Sequence, residues 1–202
     1  MVVIIDYGLG NLGTILSKLK RFEVEAIISS KPKEILAASK LILPGVGNFA
    51  QGMENLKKSG LIPVLEEKVL NQKTPILGIC LGMQLLTNFS EEGNVPGLGW
   101  IDGETKRFNF PKADLRIPHV GWDSIKILKN DLLFKEVPKD SYFYFTHSYF
   151  VNSAKNNILA ETDYGSKFAS IIKKDNIIGV QFHPEKSHRH GLKLIKNFID
   201  YY

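Results

Sequence analysis

One cysteine in 202 residues excludes an intramolecular disulfide framework and leaves a single thiol free for chemistry, as expected in a reducing compartment. No apolar run approaches the roughly 18 residues that a membrane-spanning helix needs, and no N-terminal stretch has the order of a signal peptide. A cytoplasmic protein with no membrane partner is therefore expected. The net charge of +5 is small, and basic residues fall in scattered pairs such as Lys57-Lys58 and Lys173-Lys174. Without a basic stripe, no nucleic-acid partner is expected. Linkers, repeats and low-complexity segments are absent too, and 44% hydrophobic content supports a single domain over residues 1–202.

What is present alternates. Val2-Val3-Ile4-Ile5 is a short apolar run of the kind buried on both faces of a parallel sheet. Leu12, Ile15, Leu16, Leu19 and Phe22 then recur at helical spacing. Ala26-Ile27-Ile28 and Leu41-Ile42-Leu43 repeat the strand signal around a segment led by Pro32. Residues 52–59 and 61–71 read as helices, Pro75 to Ile79 as a strand, and 82–89 as the helix after it. This order predicts an α/β fold on a mostly parallel sheet with right-handed crossovers. After Gly93 the pattern changes to strands at Ile125-Lys126-Ile127, Tyr142 to Phe145, Ile158 to Ala160 and Phe168 to Ile172, which predicts additional antiparallel or mixed strands. Ile171 to Ile178 reads as a hairpin turning at Asp175-Asn176, and Leu192, Ile195, Phe198 and Ile199 mark a closing amphipathic helix.

The chemistry gathers at two places. Gly78-Ile79-Cys80-Leu81-Gly82 directly follows a predicted strand, and a strand turning sharply into a helix needs small residues around the apex. The thiol would project at the mouth of the sheet, before the positive end of the helix. A second strand ends in Gln181-Phe182-His183-Pro184-Glu185. Cys80 as nucleophile, His183 as base and Glu185 as orienting acid form a covalent-catalysis set, with Pro184 holding the chain extended between the last two. A packed core cysteine and a merely structural histidine are the bland alternatives, and the two motifs together argue against them. Pro44-Gly45-Val46-Gly47-Asn48-Phe49 offers backbone N–H groups at Val46 and Gly47 for an oxyanion, and Leu81 N–H supplies another.

Two further patterns are decoys. Gly8-Leu9-Gly10-Asn11-Leu12-Gly13 satisfies the dinucleotide fingerprint, but Ser29-Ser30-Lys31 stands where an acidic residue is required. His188 and His190 flank Arg189 and have no convergent carboxylates or cysteines, so no metal is expected.

Gly78 to Gln84 with His183-Pro184-Glu185 resembles the class I, or triad, glutamine amidotransferases. Asp6-Tyr7-Gly8-Leu9-Gly10-Asn11-Leu12, Ser90-Glu91-Glu92-Gly93, Ile117-Pro118-His119-Val120-Gly121-Trp122, Phe145-Thr146-His147-Ser148-Tyr149 and Pro184-Glu185-Lys186-Ser187 narrow the resemblance to the glutaminase subunits of imidazole glycerol phosphate synthases. It runs from end to end. The resemblance implies a flavodoxin-like domain that hydrolyses L-glutamine to glutamate and ammonia through a Cys80 thioester, with no cofactor. It implies glutamine binding by Gly47, Gln84, Glu92, His147, Ser148 and Tyr149. It further implies a heterodimer with a (βα)8-barrel cyclase that receives the ammonia in histidine biosynthesis, Asn11, Trp122 and Lys186 matching positions near that interface. Such subunits are switched on allosterically by ligand in the barrel. Gly99-Trp100-Ile101-Asp102-Gly103 and Ser187-His188-Arg189-His190 depart from the histidine-pathway pattern. A paralogous subunit feeding an amidino-sugar synthase is therefore the second reading.

Overall fold

The computed structural model describes residues 1–110 and 115–202. Strands β1 (Val2–Ile5), β2 (Ala26–Ser29), β3 (Lys40–Gly45) and β4 (Ile76–Cys80) alternate with helices α1 (Leu12–Lys20), α2 (Pro32–Leu36), α3 (Phe49–Lys58) and α4 (Ile62–Glu66). Helix α5 (Leu81–Leu85) follows β4 without an intervening loop. The second half contributes β5 (Phe89–Ser90), β6 (Val95–Pro96), β7 (Gly103–Arg107), β8 (His119–Ser124) and β9 (Lys126–Ile127). It continues with β10 (Tyr142–His147), β11 (Tyr149–Ser153), β12 (Ile158–Asp163), β13 (Lys167–Lys174) and β14 (Ile177–Val180), and α6 (His188–Tyr201) closes the chain.

The main sheet runs β2-β1-β3-β4-β14-β13-β11-β7-β5-β6. Its first five strands are mutually parallel, and antiparallel pairing begins at β13. The parallel order is that of a flavodoxin-like sheet, with the last parallel strand drawn from near the end of the chain. Alternation within the apolar strands serves both faces. Val2 and Ile4 join Ile15, Leu19, Leu194 and Phe198 beneath α1 and α6, whereas Val3 and Ile5 join Phe49, Met53, Leu56 and Leu65 beneath α3 and α4. Strands β8 and β10 form a separate two-stranded antiparallel sheet.

Several boundaries differ from the sequence reading. The helix expected over 82–89 ends at Leu85, because the Leu86 and Thr87 N–H groups turn back to the Met83 and Gln84 carbonyls and Thr87 Oγ1 donates to Gln84 O at 2.7 Å. The chain is thereby released into β5, which pairs with β7. The helix expected over 52–59 starts earlier, at Phe49, where the Asn48 side chain accepts from Gln51 N and caps it. The segment 61–71 divides into α4 and a π-helical turn over Glu67–Asn71. Strands β7 and β8 carry no continuous apolar run, and β11 has only the short Tyr149-Phe150-Val151; the sequence reading set none of the three as strands.

Candidate active site

Parallel strands present their carboxyl ends on one edge of a sheet, and here two neighbours end in reactive side chains. Strand β4 lies between β3 and β14, with Gly45 paired to Cys80 and Ile79 paired to Val180. Pairing thus sets the Pro44-to-Phe49 loop on one side of Cys80 and the chain leading to His183 on the other. Cys80 itself has φ 54° and ψ −108°, a conformation rare for a residue with a side chain and diagnostic of a strained elbow. The turn fits because its neighbours are bare. A Cβ on Gly82 would stand 1.8 Å from the Leu43 carbonyl oxygen, and one on Gly78 would meet the Gly82 carbonyl at 2.8 Å.

His183 and Glu185 are almost fully buried, and His183 Nδ1 meets Glu185 Oε1 at 2.9 Å. The extended link expected at Pro184 is not what the structure shows. His183 is extended, as a residue before proline tends to be, but Pro184–Lys186 forms a 3-10 turn that folds Glu185 back under the imidazole. Two bonds pin this turn to β10: His183 N donates to the Tyr144 carbonyl, and Tyr144 N donates to Ser187 Oγ. Burial alone would push the His183 imidazole down. Cys80 and the Glu185 carboxylate more than offset it and raise the pKa to about 9. His183 Nε2 and Glu185 Oε2 are both buried without hydrogen-bond partners among the described residues, a condition that native folds tolerate mainly where polar groups have a task.

A cavity of about 290 Å³ opens over the sulfur, close to the lower end of small-molecule sites. Val46, Gly47, Cys80, Leu81, Gln84, Glu92, His147, Ser148, Tyr149 and His183 all line it. The structure therefore brings together the sequence-derived nucleophile, base, oxyanion donors and binding residues, with Glu185 behind His183. A larger hollow of about 750 Å³ lies along residues 125–139 and touches neither Cys80 nor His183. His147 and Tyr149 reach the cavity because the chain leaves the two-stranded sheet at the end of β10 and enters the main sheet at β11. Gln84 Nε2 donates to Tyr149 O at 2.9 Å and to Gln181 Oε1 at 3.2 Å. Glu92 Oε2 accepts from Phe49 N at 2.7 Å, so this carboxylate also ties down the start of α3.

Sequence reasoning missed two residues. Gln181 is fully buried and directs Nε2 at Cys80 Sγ from 3.8 Å. Its position two before His183 was the available signal, since alternate residues of an extended chain share a side. Tyr7 is buried, donates to the Pro44 carbonyl at 2.7 Å and braces the loop beside Cys80. Burial first, and Cys80 second, raise its phenol pKa, which keeps it a donor.

The positions matched to a partner interface lie apart from the cavity lining. Trp122 is 44% exposed and stacks on the His188 ring at 4.6 Å, and Lys186 Nζ stands over the Tyr144 ring at 5.8 Å. Asn11 precedes α1 and accepts from Thr14 Oγ1.

The arrangement can perform acyl transfer from a small amide. Residues 3–201 match the family described as glutamine amidotransferase class-I. The chain belongs to the class-I glutamine amidotransferase family. This amidotransferase is 52% identical over 200 residues to "Imidazole glycerol phosphate synthase subunit HisH 2" of Methanococcus maripaludis, covering 98% of both chains. It is 45% identical over 201 residues to the protein of the same name from Pseudomonas aeruginosa, covering 99% of both. In fold, the amidotransferase is similar to a structure titled "Crystal structure of glutamine amidotransferase", with TM-score 0.76, 18% identity and coverage of 98% and 97% of the two chains.

Proposed function

We propose that this amidotransferase is the glutamine-hydrolysing subunit of an imidazole glycerol phosphate synthase, acting through Cys80, His183 and Glu185. The carrying observation is the buried His183–Glu185 pair behind a lone cysteine at the floor of the cavity. Cys80 sulfur attacks the side-chain carbonyl carbon of glutamine as its thiol proton passes to His183, and the carbonyl electrons move onto oxygen, which Val46, Gly47 and Leu81 N–H groups stabilise. Collapse expels ammonia, with His183 supplying its proton, and leaves a glutamyl thioester. His183 then takes a proton from water, whose oxygen attacks the thioester and releases glutamate and free thiol. Glu185 holds the ring with Nδ1–H toward itself and Nε2 toward the chemistry.

Gly47, Gln84, Glu92, His147, Ser148 and Tyr149 hold the amino-acid end of glutamine. The outer face of β8 and β10 receives the barrel partner. Along these strands His119, Phe143, Phe145 and His147 point inward, whereas Val120, Trp122 and Tyr142 are 55%, 44% and 55% exposed. An exposed aromatic and apolar face of this kind suits an interface core. Docking there places the cyclase beside Lys186 and the His183 turn, and reorienting a peptide in Gly45-Val46-Gly47 would complete the oxyanion hole when the barrel is occupied. Ammonia then passes to the barrel. No described helix is long and apolar enough to cross a membrane.

Both relatives above carry the numeral 2 in their printed name, HisH 2. That numeral favours keeping the paralogous reading, ammonia supply to an amidino-sugar synthase. Glutamate release by this protein, alone and with each barrel synthase of its organism plus nucleotide acceptor, separates the two. Turnover with the histidine-pathway barrel is the expected result. Silence there with activation by another synthase would transfer the chain to the second pathway, and equal turnover by Cys80→Ala would overturn the mechanism.

A further inference from the structure

Behind the proposed glutamine-binding wall runs a chain of side chains whose proton positions are dictated by one backbone atom. A carbonyl oxygen only accepts. Tyr149 O meets His147 Nδ1 at 2.8 Å and Gln84 Nε2 at 2.9 Å, so His147 must carry its proton on Nδ1. His147 is buried among the Phe108, Phe145 and Phe168 rings, and among the described residues no carboxylate pairs with it. Burial pushes its pKa down to about 3, with His119 and His183 adding to the effect against the Tyr149 bond. Its Nε2 is therefore a bare acceptor. That nitrogen lies 3.2 Å from His119 Nδ1, which in turn must carry the proton of this bond.

The remaining nitrogen of His119 follows by elimination. Burial lowers its pKa too, with Asp123 opposing, so the ring is neutral near pH 7 and Nε2 is unprotonated. It faces Asp123 Oδ2 at 3.5 Å. Two acceptors should stand apart, and this contact is longer than the two inner ones. The opposite tautomer would satisfy Asp123 but set lone pair against lone pair at His147, or, if His147 shifted its proton as well, at the Tyr149 carbonyl. Among the described residues, the titratable groups facing His119 are His147 from β10, Asp123 from its own strand, and the Tyr164 ring stacked at 4.0 Å, whose hydroxyl donates to the Arg116 carbonyl.

We propose that His119 is a positioning residue for the glutaminase reaction, locking His147 in the Nδ1–H tautomer and thereby holding the Tyr149 carbonyl and the Gln84 side chain at the substrate wall. The proposal rests on the glutaminase reading above. Continuity extends it to the nucleophile, since Gln84 Nε2 also donates to Gln181 Oε1 and Gln181 Nε2 reaches Cys80 Sγ. The outer end lies at Asp123, next to exposed Trp122.

The test is long-range proton–nitrogen NMR on the full chain labelled with nitrogen-15 histidine, paired with the rate of Cys80 labelling by a diazoketone analogue of glutamine. The wild type should show His147 with Nδ1 protonated and Nε2 bare. His119→Phe keeps the ring stack but removes the donor, so the His147 nitrogen shifts should move toward a tautomer mixture. The half-saturating analogue concentration should rise roughly tenfold, the loss of one buried hydrogen bond. His119→Asn leaves an amide donor where Nδ1–H stood and should restore both readouts. Asp123→Asn offers an N–H to the bare Nε2 and should leave His147 unchanged, which keeps the test decisive even if the phenylalanine variant does not fold. Finding His147 protonated on Nε2, or moved to that tautomer by Asp123→Asn, would overturn the proposal, as would an unaltered His147 in folded His119→Phe. A wild type that the analogue never labels would instead refute the glutaminase reading, while the spectra still decide the tautomer.

Discussion

At the scale of residues, the site depends on a few side chains whose environments set their chemistry. Glu185 has its Oε1 on His183 Nδ1, and Glu185→Gln keeps the shape while removing the charge that raises the imidazole pKa. Glutamine turnover by that variant should fall by about 10²-fold or more, measured as kcat with the activating partner present. The elevated His183 pKa also has a stability consequence with a definite sign. Its folded value of about 9 lies above the ordinary 6.5, so the stabilisation is fully present below pH 6.5 and is lost as pH rises through about 9. Melting temperature should therefore decline over that window in the wild type and decline less steeply in Cys80→Ala, where one cause of the raised value is gone. Cys80, His183 and Glu185 were legible in the sequence because each sits at a fixed offset from a strand end. Gln181 was signalled only by its place two before His183, and the His119–His147 contact not at all, since it joins residues brought together by pairing of β8 with β10.

At the scale of elements, the elbow is the feature that tolerates least change. Gly82→Ala would drive a methyl group into the Leu43 carbonyl, a backbone atom of the adjacent strand that cannot move aside as a side chain could. The variant should lose about 3 kcal/mol or more of stability in denaturant titration, because relief requires separating β3 from the start of α5. The exposed face of β8 and β10 makes a different prediction. Trp122→Ala should weaken binding to the barrel partner about tenfold or more in calorimetry, while analogue labelling of Cys80 in the isolated chain stays within about twofold of wild type. The parallel strands were readable because strands buried on both faces must be continuously apolar. Strand β7, Gly-Glu-Thr-Lys-Arg, buries only Thr105, and so it carried no such signal. The early end of α5 was equally hidden, since it follows from Thr87 bonding back to Gln84 and from the pull of β5 into the sheet.

At the scale of the whole molecule, the chain ties its first half to its last. Strand β14 inserts beside β4, and this one pairing carries His183 to Cys80 across about a hundred residues of sequence. The alternation of β and α in the first half announced a parallel sheet, but nothing local could say which late strand would complete it. That choice is made by burial: Ile177 to Val180 are all enclosed, and an interior place next to β4 is where such a strand belongs. The central claim is that this assembled edge performs thiol chemistry on glutamine. It is tested most directly by mass-spectrometric mapping of the chain after exposure to the diazoketone analogue of glutamine. The account predicts a single adduct, located on Cys80, blocked by excess glutamine and slowed at least about tenfold in His183→Asn. An adduct elsewhere, or one formed on Cys80 at the same rate without His183 and without competition from glutamine, would contradict it.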